Sequence, residues 1–214
     1  MKKILLAASL ALLLTGCQTA YYSAMEKVGV HKRDILVDRV EEAKESQEVS
    51  QQEFQSALER LSLLINFDGG ELQTVYEELN DDYESSLKAA EDVSNRINKV
   101  EDVAEALFDE WNEELAQYSN ANLKRESEKK LNQTKRQFDK LLRSMRTSEK
   151  KMAPVLSALQ DNVLYLKHNL NAQAISAIKG EFNNLKRDIQ SLMTDMNKSI
   201  ADSNKFIEQM NKTG

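Results

Sequence analysis

The stretch LNQTKRQFDKLLRSMRTSEKKMAPVLSALQDNVLYL, residues 131–166, has a repeating pattern that decides the fold class. Uncharged and mostly apolar side chains recur at alternating intervals of three and four residues. They are Leu131, Thr134, Phe138, Leu141, Met145, Ser148, Met152, Val155, Leu159, Asn162 and Leu166. An α-helix has about 3.6 residues per turn, so these side chains fall on one narrow stripe. The pattern predicts a long helix that packs lengthwise against partners.

The same spacing recurs over residues 36–64, 72–111 and 175–196. Short breaks separate the four runs, at Phe67-Asp68-Gly69-Gly70, Ser119-Asn120-Ala121-Asn122 and His168-Asn169-Leu170-Asn171. Short connections make neighbouring helices antiparallel. We therefore predict an all-α fold over residues 25–214, a long antiparallel helical bundle or coiled coil of about four long helices. One closed bundle and two splayed hairpins both agree with the pattern.

Two features disturb the regular stripe. Pro154 lacks a backbone N–H and is expected to kink the third helix, but the stripe keeps its phase across it, which favours a continuous helix over a break. Polar side chains also occupy stripe positions, among them Gln47, Ser50, Thr134 and Ser148. Such residues usually fix the register or the number of partner helices, and a buried polar channel is the alternative.

The first residues have the pattern of a bacterial signal peptide. Lys2 and Lys3 precede an apolar run, Ile4–Leu14, that is shorter than the roughly 20 residues a membrane-spanning helix needs. The run ends in Leu14-Thr15-Gly16-Cys17, which resembles the lipobox of bacterial lipoproteins. The alternative is an ordinary secretory signal peptide with a chance cysteine.

The lipobox resemblance implies that residues 1–16 are a removed signal peptide, that Cys17 is lipidated, and that residues 17–24 form a tether. Acyl chains such as palmitate would anchor the protein stably, since each buried methylene contributes about 0.8 kcal/mol. In similar lipoproteins of enteric-type bacteria, Asp after the cysteine commonly signals inner-membrane retention. Residue 18 is Gln, so the resemblance implies the periplasmic face of the outer membrane.

The composition agrees with one helical, membrane-anchored domain. The chain is 41% hydrophobic and 30% charged, and six glycines and one proline are too few for the turns of a sheet protein. The formal charge of −6 becomes −8 once Lys2 and Lys3 are removed, which argues against nucleic acid as a partner.

The second and third predicted helices carry opposite charge. Glu71–Tyr118 contains 15 acidic and three basic residues, whereas Asn122–Lys151 contains 11 basic and four acidic ones. The first interpretation is charge matching between neighbouring helices. The expected pairs are Glu105 with Arg136 and Glu101 with Lys140. The alternative is an exposed basic face for anionic lipid, an anionic envelope polymer or an acidic protein. Its residues are Lys124, Arg125, Lys129, Lys130, Lys135 and Arg136.

No motif for catalysis or metal binding is recognisable. The bundle class includes di-iron enzymes with Glu-x-x-His motifs, but Val28 and Tyr165 stand three residues before His31 and His168. The sequence has no Gly-rich phosphate loop and no nucleophile elbow. We therefore predict no enzyme activity, no cofactor and no metal site, and we expect Trp111 to be a core residue.

The start of the mature chain resembles a family of uncharacterised Gram-negative lipoproteins classified as a domain of unknown function. The matching segments are Tyr21-Tyr22, Met25-Glu26-Lys27-Val28-Gly29, His31-Lys32-Arg33-Asp34 and Val37-Asp38-Arg39-Val40. The resemblance implies a helical lipoprotein, but it brings no activity or site residues.

Three functions fit these features. The first is a structural or adaptor protein that binds an envelope protein or an anionic envelope polymer through helical surfaces. The second is a carrier of an apolar ligand or lipid, indicated by seven methionines, which make surfaces adaptable. The third is a homo-oligomer that self-associates through its heptad faces.

Overall fold

The computed structural model describes residues 25, 29–67, 69 and 71–212, which contain four long helices and no strand. The helices are α1 (Lys32–Ile65), α2 (Leu72–Leu115), α3 (Ala121–His168) and α4 (Ala172–Lys212). The all-α prediction and the number of helices are confirmed. The predicted signal peptide, the lipidation site Cys17 and the tether 17–24 lie outside the described residues.

Local side-chain chemistry sets where α3 and α4 begin. The Asn120 side chain accepts hydrogen bonds from the backbone N–H groups of Asn122 and Leu123, at 2.9 and 3.2 Å. Asn171 does the same for Gln173 and Ala174, at 3.0 and 3.1 Å. These bonds satisfy N–H groups that have no partner within the helix. α3 therefore begins inside the stretch predicted as a connection.

The connection between α1 and α2 contains Gly69, whose φ of +147° favours glycine over residues with a side chain. The preceding helix ends at Ile65, and α2 begins at Leu72. This agrees with the predicted break between the first two runs.

The helices form one closed antiparallel bundle rather than two splayed hairpins. Each helix packs against two others, in the cyclic order α1, α2, α3, α4 and back to α1. We call the end that holds the start of α1, the α2–α3 connection and the end of α4 the proximal end, and the opposite end the distal end. α3 has 48 residues, and at about 1.5 Å per residue it is about 72 Å long.

The predicted stripes form the core. All nine stripe positions of α1, from Leu36 to Leu64, are buried. In α3 most stripe positions are buried as well, including Phe138, Met145 and Leu159. Pro154 lies inside α3, which continues through it as predicted, and its side chain is exposed. Facing solvent, the ring leaves the packed side of the helix undisturbed.

A polar layer crosses the middle of the core. Its buried side chains come from three helices: Gln47 and Ser50 of α1, Ser144 and Ser148 of α3, and Ser199 and Ser203 of α4. Gln47 Nε2 donates to Ser148 Oγ at 3.0 Å, across the bundle from α1 to α3. Gln47 Oε1 and the hydroxyl groups of Ser50, Ser144 and Ser199 have no hydrogen-bond partner among the described residues. Buried polar groups of this kind destabilise a core unless they are satisfied.

We predict that Ser148→Ala lowers the free energy of unfolding by about 1 to 3 kcal/mol, because it leaves the buried Gln47 amide without its acceptor. Gln47→Leu combined with Ser148→Ala should recover most of this loss, since neither polar partner remains. Urea denaturation of both single variants, the double variant and the parent completes a double-mutant cycle. A double variant less stable than Ser148→Ala alone would contradict the prediction.

Candidate interaction surface at the proximal end

The predicted basic residues lie on the first turns of α3, at the proximal end of the bundle. Lys124, Arg125, Lys129, Lys130 and Arg136 are exposed, and Lys135 is half-buried. We call these six residues the basic surface. These residues lie at the proximal end because α3 begins there, directly after the connection from α2.

None of the six forms an ion pair with a described residue. Arg125 donates a hydrogen bond to the side-chain oxygen of Asn122 in its own helix. The Lys135 ammonium lies 5.5 Å from the centre of the Phe108 ring, a cation–π arrangement. These six side chains thus form no direct ion pair with the acidic helix α2 among the described residues, and the pairing expected from charge matching is not found for them.

The two specific pairs expected from the sequence are also wrong. Glu101 pairs with Arg146 at 2.6 Å instead of the expected Lys140. Lys140 instead pairs with Asp202 of α4 at 2.7 Å. Glu105 and Arg136 take part in no ion pair within the described part of the chain. Trp111 donates a hydrogen bond to Ser127 and Ser94 donates one to Glu149, both close to the predicted register of α2 and α3, so the register holds and the long charged side chains reach other partners.

The acids of α2 find partners on α1 instead. Arg60 of α1 contacts Glu78 at 2.6 Å and Asp82 at 3.2 Å. Arg96 of α2 pairs with Glu42 of α1 at 2.6 Å. Arg60 meets its acids toward the distal end, and Lys32 of α1 pairs with Glu110 at 2.8 Å at the proximal end.

Two ionisable groups at the seams of α3 have shifted pKa values. Burial alone would raise the pKa of Asp202, but the hydrogen bond from Lys140 and its positive charge outweigh it and lower the pKa. Burial alone would lower the pKa of Arg146, but its hydrogen bonds to Glu101 and Glu149 raise it. Both groups therefore stay charged at neutral pH and hold α3 to its neighbours.

Below the basic surface, three aromatic rings join α2, α3 and α4. Phe138 contacts Phe108 edge to face, with ring centres 5.6 Å apart, and contacts Phe206 with ring centres 6.0 Å apart. The sequence stripe included Phe138 but neither of the other two. The packed rings hold α3 against α2 and α4 below the basic surface.

A cleft of about 750 Å³ opens at the proximal end, beside the basic surface. Its apolar lining includes Leu107, Trp111, Leu123 and Met210, and its basic lining residues are Arg33, Lys130 and Lys212. No pattern in the sequence indicated this cleft, because all four helices contribute to it. Trp111 was expected to be a core residue, but it is only half-buried and lines the cleft. Thr134, a polar stripe residue, also lines it.

Within the described residues, no helix has a stretch apolar enough to cross a bilayer, and no cluster of three or more metal-ligating side chains occurs.

Comparison with known families identifies the class of protein. A model for the prokaryotic membrane lipoprotein lipid attachment site matches residues 1–18, so the chain is a lipid-anchored membrane lipoprotein. The helical bundle follows this attachment site. The chain belongs to the family described as "Protein of unknown function (DUF2959)", whose model matches residues 21–210. The resemblance to an uncharacterised lipoprotein family is confirmed. No curated protein and no solved structure shows significant similarity to the chain.

Proposed function

We propose that the protein is a lipoprotein of the outer membrane, acylated at Cys17 and facing the periplasm, that serves as a structural or adaptor protein. The lipid attachment site over residues 1–18 and Gln18 after the cysteine support this location. Density-gradient separation of inner and outer membranes tests it. The proposal assigns no catalytic reaction to the chain, in keeping with the lack of catalytic motifs in the sequence.

The observation that carries the adaptor role is the unpaired basic surface. Its cations have no acidic partner in the described chain, so they are available to an anionic envelope component, either a protein or a polymer. Clustered cations attract anionic partners over about a Debye length, roughly 8 Å at physiological ionic strength. Binding through this surface should therefore weaken as salt increases.

The geometry suits an adaptor in two ways. The basic surface lies at the end of the bundle where α1 begins, and α1 follows the proposed lipid anchor by only 14 residues. Anchoring holds the surface within a fixed distance of the membrane, which raises its effective concentration toward membrane-associated partners.

We predict that Lys129→Glu with Arg136→Glu abolishes salt-sensitive crosslinking to the partner without changing thermal stability. The two residues are seven apart, so they lie on one face of α3, and neither takes part in an ion pair that the substitution would break. The measurement is crosslinking in intact cells, together with thermal denaturation of the purified variant.

Lys179→Glu with Lys186→Glu is the matched control. This pair has the same spacing and charge change, is exposed on α4 nearer the distal end, and should leave crosslinking intact. Equal crosslinking in the two double variants would refute a role for the basic surface. A marked loss of thermal stability in Lys129→Glu with Arg136→Glu would mean that these charges stabilise the bundle instead.

The cleft at the proximal end favours a second candidate function, the binding of an apolar ligand or lipid. The four heptad stripes are already buried against one another inside one chain. We therefore do not extend the proposal to self-association through those stripes.

A further inference from the structure

We propose that the proximal cleft binds a single anionic phospholipid, with an acyl chain along its apolar floor and the headgroup phosphate at its basic rim. The inference rests on the proposed lipid anchoring, because that anchoring places the cleft beside a membrane. It assigns a ligand class to a site that is distinct from the exposed basic surface, although Lys130 belongs to both.

The floor of the cleft is apolar and incompletely covered. Leu107 and Met210 are buried at its base, whereas Leu123 is 58% exposed at its mouth. Tyr118, at 40% exposed, also lines the cleft. Sites for small ligands typically have volumes of about 300 to 1,000 Å³ and a mainly apolar lining with a few polar groups. The cleft, at about 750 Å³, fits both criteria.

The rim supplies positive charge for a phosphate. Arg33 from the start of α1, Lys130 from α3 and Lys212 from the end of α4 line the cleft, against a single acidic lining residue, Glu126. Arginine and lysine side chains form charge-assisted hydrogen bonds with phosphate oxygens. Lys212 also pairs with Glu208 at 3.5 Å, whereas Lys130 forms no ion pair with a described residue. The excess of basic over acidic lining residues favours an anionic headgroup over a neutral or zwitterionic one.

The position of the cleft favours a membrane lipid as occupant. Between Cys17 and Lys32 lie 14 residues, which reach at most about 50 Å when fully extended. The cleft opens at the same end of the bundle as Lys32, so an anchored chain keeps it close to the bilayer surface. Membrane phospholipid is then the amphiphile present at the highest local concentration.

The fluorescence of Trp111 can report whether the cleft is occupied. It is the only tryptophan of the chain, and its indole Nε1 donates to Ser127 Oγ at 2.8 Å, which fixes the ring in the cleft wall. An acyl chain placed beside the ring would remove water from it. Its fluorescence emission should therefore move to shorter wavelength when the site is occupied.

The test uses the mature chain with Cys17→Ser, which lacks the acyl chains and retains every described residue. Trp111 emission is titrated with dioctanoyl phosphatidylglycerol below its micelle concentration, and with the matching phosphatidylcholine. We expect a saturable blue shift with phosphatidylglycerol and a weaker affinity, by about tenfold, for phosphatidylcholine. Native mass spectrometry should show one bound lipid per chain.

Two variants address the rim and the floor separately. Lys130→Glu should weaken phosphatidylglycerol binding by about tenfold through loss of a phosphate contact, whereas the exposed control Lys186→Glu should not. Gln133→Phe, at an exposed lining position, should fill the cleft and remove the blue shift. Circular dichroism confirms that each variant is folded.

Absence of a saturable shift with either lipid would overturn the inference. Equal affinity for the two lipids, together with no effect of Lys130→Glu, would overturn the anionic headgroup. Failure of the adaptor role is measured separately, by crosslinking of Lys129→Glu with Arg136→Glu. Neither of those residues lines the cleft, so the two results are independent.

Discussion

A chain in which residues 1–16 are replaced by an ordinary cleavable secretory signal peptide, and Cys17 by Ser, should appear almost entirely in the soluble periplasmic fraction. The substitution removes the only thiol of the chain and with it the proposed acyl chains. Each buried methylene contributes about 0.8 kcal/mol to membrane binding, so no single protein contact can replace the lost anchor. The native sequence should sediment with membranes.

The signal peptide is replaced as well, because an uncleaved leader could itself hold the Cys17→Ser chain in the membrane. The membranes are washed at high salt, which screens attraction between the basic surface and anionic lipid. The unfolding transition should match that of the native chain, because Cys17 lies outside the four helices. Continued sedimentation of the washed variant would show that acylation is not the anchor.

Phe138→Ala should lower the free energy of unfolding by about 3 to 5 kcal/mol, the largest stability effect we expect from one substitution. Phe138 is 5% exposed and contacts Phe108 and Phe206, so its removal leaves a cavity between three helices. Urea denaturation followed by the helical circular dichroism signal measures the loss.

Leu164→Ala on the same helix is the control for Phe138→Ala. Leu164 is exposed, and its truncation should change stability by no more than about 0.5 kcal/mol. If Phe138→Ala costs no more than this control, the aromatic cluster does not hold the proximal half of the bundle together.

Much of the fold was predictable because the stripes obey a short-range rule. A helix buries whichever side chains fall on one face, so the 3,4 spacing correctly marked core residues such as Leu36 and Leu159. Pro154 was tolerated within α3 because its ring points to solvent. Ser199 and Ser203 continue the spacing beyond Met196, and their polarity hid them from a search for apolar residues.

The ion-pair partners of individual side chains were not predictable in this way. Lysine and arginine side chains are long and flexible, so an acid on a neighbouring helix lies within reach of several of them. Long charged side chains then choose among several partners, and Glu101 meets Arg146 rather than Lys140.

The candidate site was only half predictable for a related reason. The sequence located the basic residues, but whether each forms an ion pair depends on side-chain contacts between helices that the pattern of one helix does not show. The cleft depends on how four helix ends diverge, which no periodicity within one helix encodes. Leu123, one of its exposed lining residues, stands outside every stripe.

Because the bundle has an even number of antiparallel helices, the start of α1 and the end of α4 lie at one end and the α1–α2 connection lies at the other. Labels attached at these two ends therefore report different distances from the membrane. A fluorescent protein fused after α4 would lie at the membrane-anchored end of the bundle, since Lys212 shares an end with Lys32. A short epitope inserted at Gly69 would instead project from the opposite tip. Since α1, with 34 residues, is about 51 Å long, the epitope would mark how far the molecule extends from its bilayer.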